Sequence, residues 1–118
     1  MILNIKNAVI IAPHPDDETL GAGGTIKRLV ENNIKVSVLI VSGHMPPLYS
    51  IKTYEKTLTE CKKVFKYLGV SDFEFLNIPA TKLNEVPTSD LNMKIDDFIK
   101  RRNPDTVLIP FPDRHIDH

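Results

Sequence analysis

Apolar residues cluster in four short runs along the chain, and longer stretches of mixed polarity separate these runs. The runs are rich in β-branched residues and have the length of strands. They occupy residues 8–12, 36–41, 73–76 and 106–109. Continuous apolar strands, rather than alternating ones, are typical of a parallel sheet that is covered on both faces. The pattern therefore predicts four strands of a mainly parallel sheet.

The intervening stretches have the spacing of amphipathic helices. The clearest stripe, on one face of the second stretch, consists of Tyr54, Leu58, Cys61, Phe65 and Leu68. Gly69 then provides a stop. The first helix is expected to end at Asn32-Asn33, and the third before Pro104. Four strands alternating with three helices place the chain in the α/β class.

Two long loops are expected to follow strands, at residues 43–50 and 79–89. Both would then lie at the carboxyl edge of the sheet, where open α/β folds bind ligands. The chain has no internal repeat or linker, so residues 1–118 are predicted to form a single domain.

Composition excludes several classes of protein. Fifteen Lys+Arg balance fifteen Asp+Glu, whereas a nonspecific nucleic-acid binder normally has a basic excess. The single cysteine, Cys61, forms no intrachain disulfide and cannot build a thiolate zinc site, and we expect it to be a small buried hydrophobe. No stretch suggests a transmembrane helix or a signal peptide, so a soluble, cytoplasmic setting is expected. The Lys100-Arg101-Arg102 run is interpreted as a solvated helix end rather than a binding patch.

Strand one runs directly into Pro13-His14-Pro15-Asp16-Asp17-Glu18. One interpretation is structural: Asp16 or Asp17 caps the first helix and His14 is a polar turn residue. The other is chemical. An imidazole and a carboxylate three residues apart can reach one divalent ion, while the neighbouring carboxylate is free to take a proton from water. We favour the chemical interpretation, because capping accounts for only one of the acids.

Gly21-Ala22-Gly23-Gly24 has part of a dinucleotide-binding fingerprint. The third glycine of that motif would be Ile26, however, and no acid ends strand two. The glycines are more simply explained by close packing of the helix on the sheet.

The last strand leads into a second polar cluster, residues 113–118, which contains two acids and two histidines. A solvated tail is one interpretation. Because parallel strands end at the same edge, a third metal ligand from this cluster is the better explanation. His44, in the loop after strand two, could contact a substrate, but we expect it to be exposed to solvent.

Two motifs carry a family resemblance. Ala-Pro-His-Pro-Asp-Asp-Glu at 12–18, followed by Leu-Gly-Ala-Gly-Gly-Thr at 20–25, resembles the signature of the PIG-L (LmbE-like) zinc-dependent de-N-acetylases. Arg-His-Ile-Asp-His at 114–118 is similar to the second motif of that family. Lys-Tyr-Leu-Gly-Val at 66–70 also fits the end of its second helix. The resemblance covers essentially the whole chain and implies a Rossmann-like three-layer α/β sandwich.

The resemblance also implies roles for individual residues. The implied ligands of Zn²⁺, or of another divalent metal, are His14, Asp17 and His118. Asp16 is implied as the general base. His115 would protonate the leaving amine or help to stabilise the oxyanion, and Asp117 would orient a histidine. Members often carry an acid after strand three, where this chain has Ile78-Pro79-Ala80, which affects substrate contacts.

The implied activity is removal of acetyl groups from N-acetylglucosamine-type sugars or glycoconjugates. Whether the protein forms a homo-oligomer is left open at this point. The alternative is a noncatalytic metal- or sugar-binding module, or an inactive fragment. Family members continue past the second motif with further strands and helices. We therefore expect the domain to be incomplete at its C-terminus, with weakened metal affinity and little activity in these 118 residues.

Overall fold

The computed structural model describes residues 4–14 and 17–109, and for residues 17–22 it describes the backbone alone. In this part of the chain, strands and helices alternate as the sequence pattern predicts, with one short 3₁₀ turn at Leu83–Glu85. The elements are β1 (Asn7–Ala12), α1 (Asp17–Glu31), β2 (Lys35–Gly43), α2 (Ile51–Leu68), β3 (Asp72–Pro79), α3 (Thr88–Arg102) and β4 (Thr106–Leu108).

The strands form one parallel sheet in the order β3-β2-β1-β4. Ile10 of β1 lies opposite Val38 of β2 on one side and Leu108 of β4 on the other. The chain thus adds strands in one direction from β1 to β3 and then returns to the far side of β1. The strand order reverses between β1 and β4, which is the switch point where open α/β sheets bind their ligands.

Helices cover both faces of the sheet. Two of them, α1 and α2, pack on one face through residues that include Ile26, Leu29, Cys61 and Phe65. On the opposite face Phe98 of α3 packs against Val9 and Leu39. The central strand β2 is buried from Val36 to its end, in accord with its continuous apolar sequence. The predicted three-layer α/β sandwich is therefore confirmed, and so is the burial of Cys61.

Gly69 forms the C-terminal cap of α2, whereas Gly24, inside α1, makes no close contact. Gly69 ends α2 with a φ of 84°, and its N–H bonds to the carbonyls of Phe65 and Lys66, as expected for a left-handed cap. The interpretation of the α1 glycines as close-packing residues is wrong for Gly24, because a Cβ added there would meet nothing within 4 Å. These glycines lie inside α1 rather than in a loop, which also argues against a dinucleotide fingerprint.

The basic run at the end of α3 is only partly solvated. Lys100 is exposed and pairs with Asp96. Arg102, by contrast, has only 10% of its side chain exposed, with its guanidinium 3.7 Å from the centre of the Phe98 ring. It binds both carboxylate oxygens of Asp72 at 2.8 Å. The interpretation of this run as a solvated helix end is therefore wrong for Arg102, which fastens α3 to the start of β3.

Within the described ranges, no helix is both long enough and apolar enough to span a membrane.

Candidate functional site

The carboxyl end of β1 holds the first predicted site residue. The amide of Ser42 donates to the Pro13 carbonyl at 2.8 Å, which continues the pairing of β1 with β2 beyond Ala12. His14 follows directly and is buried, with 7% of its surface exposed. Its position is thus fixed by the edge of the sheet rather than by a loose turn.

Three rings are in contact at this edge. The imidazoles of His14 and His44 are nearly parallel, with an interplanar angle of 9° and centroids 5.9 Å apart. Tyr49 meets His44 edge-on, with centroids 4.8 Å apart. His44 is half-buried, so the expectation that it is exposed to solvent is wrong. The reason is that the β2–α2 loop turns back onto the end of β1, so that its histidine packs against the His14 ring.

Backbone hydrogen bonds hold the β2–α2 loop in this position. The amide of Met45 donates to the Gly43 carbonyl at 2.9 Å, and that of Tyr49 donates to the Met45 carbonyl at 3.1 Å. Gly43 allows a close approach, since a Cβ there would lie 2.9 Å from Met45 Cε and 3.1 Å from Tyr54 Cε1, and these side chains would have to shift. The loop ends at Ser50, whose hydroxyl accepts from the Thr53 amide and caps α2.

A β-bulge in β3 supports the same loop. The pairing with β2 shifts between Ile40 and Ser42, and Asn77 has a φ of 59°. The Tyr54 hydroxyl donates to Asn77 Oδ1, and partial burial raises the pKa of this phenol above its ordinary value. Bulges are common next to active sites, where they re-aim side chains. Here the bulge places Asn77 of β3 in contact with Tyr54 of α2.

Ser42 adds a buried polar group. Its side chain is buried, and its hydroxyl oxygen has no hydrogen-bond partner among the residues that the structure describes. Buried hydroxyls are usually bonded. This hydroxyl is thus a hydrogen-bonding group at the carboxyl end of β2 that the described chain leaves unused.

Of the predicted site residues, His14 is the one whose side chain is described. The backbone of Asp17 begins α1, directly after the β1 edge. The other predicted residues lie outside the described part of the chain: Asp16, His115, Asp117 and His118. β4 pairs in parallel with β1 as far as Leu108, so both strands end at the carboxyl edge of the sheet, where His14 lies. The assignment of ligands and catalytic groups stays a prediction.

The donor set that the sequence predicts, two imidazoles and one carboxylate, has the chemistry that zinc prefers. Within the described ranges, no three histidine, cysteine or carboxylate side chains form a group that could hold a metal ion. A metal at this edge therefore depends on residues that the structure does not describe.

Sequence reasoning missed Tyr49 and Tyr54 as parts of this edge. The apolar spacing places Tyr54 on the stripe of α2, although the first turn of that helix lies at the carboxyl edge of the sheet. The sequence held one signal, Gly43 at the end of buried strand β2, because a glycine in a strand often marks a close approach of neighbouring groups.

Residues 9–118 match the PIG-L family, which is described as GlcNAc-PI de-N-acetylase. Diacetylchitobiose deacetylase of Thermococcus kodakarensis is 32% identical to this chain over 131 residues, covering 98% of the chain and 46% of that protein. A probable N-acetyl-alpha-D-glucosaminyl L-malate deacetylase 2 of Bacillus cereus is 25% identical, over 96% of the chain and 56% of that protein. The chain therefore spans about half the length of these curated relatives.

Among solved structures, N,N'-diacetylchitobiose deacetylase from Pyrococcus horikoshii superposes with a TM-score of 0.85 at 26% identity. The match covers 98% of this chain and 46% of that one.

Proposed function

Because this chain belongs to the PIG-L family of de-N-acetylases, we propose that the protein hydrolyses the acetamide of an N-acetylglucosamine-type sugar or glycoconjugate. The products are acetate and a free amine on the sugar. The observation that carries the proposal is the position of His14. His14 belongs to the motif matched by the family, and its buried imidazole lies at the switch point of the sheet, where open α/β folds bind ligands.

The residues proposed to hold Zn²⁺ are His14, Asp17 and His118. When bound, a zinc ion with three protein ligands acts as a Lewis acid that polarises the acetyl carbonyl and lowers the pKa of water. The sheet edge contributes the positioning of His14, since the strand pairing at Pro13 and the ring of His44 leave this imidazole little freedom. Restricting a ligand in this way supports metal affinity.

The remaining residues carry the proton transfers. Asp16 takes a proton from the attacking water as its oxygen bonds to the acetyl carbon. The C–N bond then breaks, and His115 gives a proton to the departing amine. Asp117 orients a histidine through a hydrogen bond. Asp16 then holds the proton taken from water, and His115 has lost one. Transfer of a proton from Asp16 to His115 through solvent restores the initial state of the enzyme.

The decisive experiment measures acetate release from a panel of N-acetylglucosamine conjugates by the full-length protein, with and without a chelator. We expect release that the chelator abolishes and that added Zn²⁺ restores. His14→Ala should remove activity and lower bound metal, whereas Lys100→Ala, exposed on α3, serves as the matched control. Sugar binding without acetate release would contradict the proposal and favour a noncatalytic binding module.

We further propose a reducing, cytoplasmic setting, which is supported by the buried free thiol of Cys61.

A further inference from the structure

The outer edge of β3 is open to pairing with another strand. β3 is the last strand on its side of the described sheet, so a row of its backbone N–H and C=O groups points away from β2. Its aromatic residues Phe73 and Phe75 are only half-buried. Proteins commonly protect such an edge with lysine or proline, but β3 has no lysine and its proline is the last residue. Its acids, Asp72 and Glu74, are each bound by an arginine of α3 and so do not repel a partner.

A groove follows this edge, between β3 and α3. Phe75 and Glu74 of β3 line it on one side, and Lys94, Asp97 and Arg101 of α3 line it on the other. Arg101 binds Glu74 and one carboxylate oxygen of Asp97. Lys94 is exposed and forms no ion pair within the described part of the chain. The groove thus carries two acids and two bases, which favours a partner of equally balanced charge over a strongly acidic or basic one.

The positions of the charges along β3 are those that a symmetric partner requires. α3 runs antiparallel to β3, and its Arg102 is level with Asp72, to which it is bound. With rises of ~1.5 Å per helical residue and ~3.3 Å per strand residue, Asp97 lies about two strand residues beyond Asp72, and Lys94 about four. The midpoint between Lys94 and Asp97 is therefore level with Phe75, near the middle of β3. One twofold axis at that level relates both the strand to itself and Lys94 to Asp97.

We propose that the β3 edge binds a second copy of this chain, with the two β3 strands paired antiparallel about a twofold axis at Phe75. A twofold axis perpendicular to the sheet keeps α3 of both copies on the same face. Lys94 of each copy then faces Asp97 of the other, so two equivalent ion pairs form. The two sheets become continuous, and the open backbone groups of β3 are paired. This interface is independent of the proposed activity, because it uses none of the residues assigned to catalysis or metal binding.

The test measures the dimer dissociation constant of the full-length protein by sedimentation velocity over a range of concentrations. Lys94→Glu and Asp97→Lys should each weaken dimerisation about tenfold, because both ion pairs become like-charge contacts. An equimolar mixture of the two variants should restore the wild-type constant, since each mixed dimer again has two pairs of opposite charge. Lys100→Glu is the matched control. It makes the same change of charge on α3, where Lys100 pairs with Asp96 outside the groove, and should leave the constant unchanged.

Amide hydrogen exchange tests the strand pairing directly. The outward-facing amides of β3 should exchange more slowly as the wild-type concentration rises through the dissociation constant, because they become hydrogen-bonded in the dimer. A protein that stays monomeric at every concentration would overturn the interface, and so would association that neither charge reversal weakens. A mixture of the two variants that stays as weak as each variant alone would also overturn it. Rescue by mixing without slower exchange in β3 would overturn the pairing of the strands.

Discussion

The guanidinium of Arg102 binds both carboxylate oxygens of Asp72, from Nε to Oδ2 and from Nη2 to Oδ1, each at 2.8 Å. This ion pair joins the last turn of α3 to the first residue of β3. The Ser37 hydroxyl donates a third hydrogen bond to Asp72 Oδ2 at 2.7 Å, which links the pair to β2. The pair thus fastens a helix to two strands of the sheet.

We predict that Arg102→Ala lowers the free energy of unfolding by about 2 kcal/mol, because it removes a two-point ion pair and the packing on Phe98. The loss is smaller than for a fully buried pair, since a third of the Asp72 side chain is exposed. Arg101→Ala is the matched control. Its pairs with Glu74 and Asp97 are exposed, so it should have a much weaker effect in chemical denaturation. Equal effects of the two variants would contradict the role assigned to Arg102.

The same pair predicts a pH dependence of stability. The hydrogen bonds from Arg102, followed by the one from Ser37 and by nearby positive charge, hold the pKa of Asp72 below its ordinary value of 3.8, against an opposing effect of burial. A carboxyl with a lowered folded-state pKa stabilises the fold above its unfolded pKa, and this contribution disappears as the pH falls through the folded value. The advantage of the wild type over Asp72→Asn should thus be constant above about pH 5 and shrink on acidification.

Denaturant titrations of both proteins from neutral pH down to about pH 2 measure this difference in unfolding free energy. Glu60→Gln, exposed on α2, controls for the general effect of removing a carboxylate. An advantage over Asp72→Asn that does not change with pH would rule out the ion pair as its source.

Two glycine substitutions should have opposite effects on stability. Gly69→Ala should destabilise the protein by about 1–2 kcal/mol, because its φ of 84° is unfavourable for alanine and the new Cβ would lie 2.7 Å from Val30 Cγ1. Gly24→Ala, inside α1 and facing open space, should stabilise it by about 0.5–1 kcal/mol. Thermal and chemical denaturation measure both. A stabilised Gly69→Ala variant would show that α2 can end without a left-handed residue.

The adjacent carboxylates of the first motif should separate metal binding from catalysis. Asp16→Asn in the full-length protein should retain bound Zn²⁺ and lose about 100-fold in deacetylase rate, the usual scale for a positioned base. Asp17→Asn should instead lower the zinc content, since it removes a proposed ligand. Metal analysis together with acetate release checks both outcomes. Equal loss of zinc from the two variants would show that these roles are wrongly assigned.

The strands and helices could be predicted because their signals are local. The stripe from Tyr54 to Leu68 and the stop at Gly69 correspond closely to α2, and each apolar run became a strand. The sequence predicts the ends of β2 and β3 two or three residues too early, because Ser42 and Pro79 are not typical strand residues. Pairing with neighbouring strands outweighs such local preferences.

The strand order and the ring contacts could not be predicted in this way. Periodicity carries no information on which side of β1 the fourth strand pairs. The contact between His14 and His44 depends on the path of the β2–α2 loop, which is set by the Gly43 carbonyl and by a bulge at Asn77. The path of this loop therefore depends on contacts between residues that are distant in the sequence, which a local pattern does not contain. The first motif itself was recognisable, because its residue types and spacing are chemically specific.

The order β3-β2-β1-β4 has a consequence for how the molecule folds. The first three strands pair with sequence neighbours, whereas β4 must return to β1 from the far end of the described chain. The Asp105 carboxylate, which accepts from the Lys6 amide at 2.8 Å, closes a contact across 99 residues. Contacts of such long range form slowly, because the closure entropy of the whole intervening chain opposes them. We therefore expect β4 to be the last strand to join the sheet, so that the edge beside His14 is completed only in the final steps of folding.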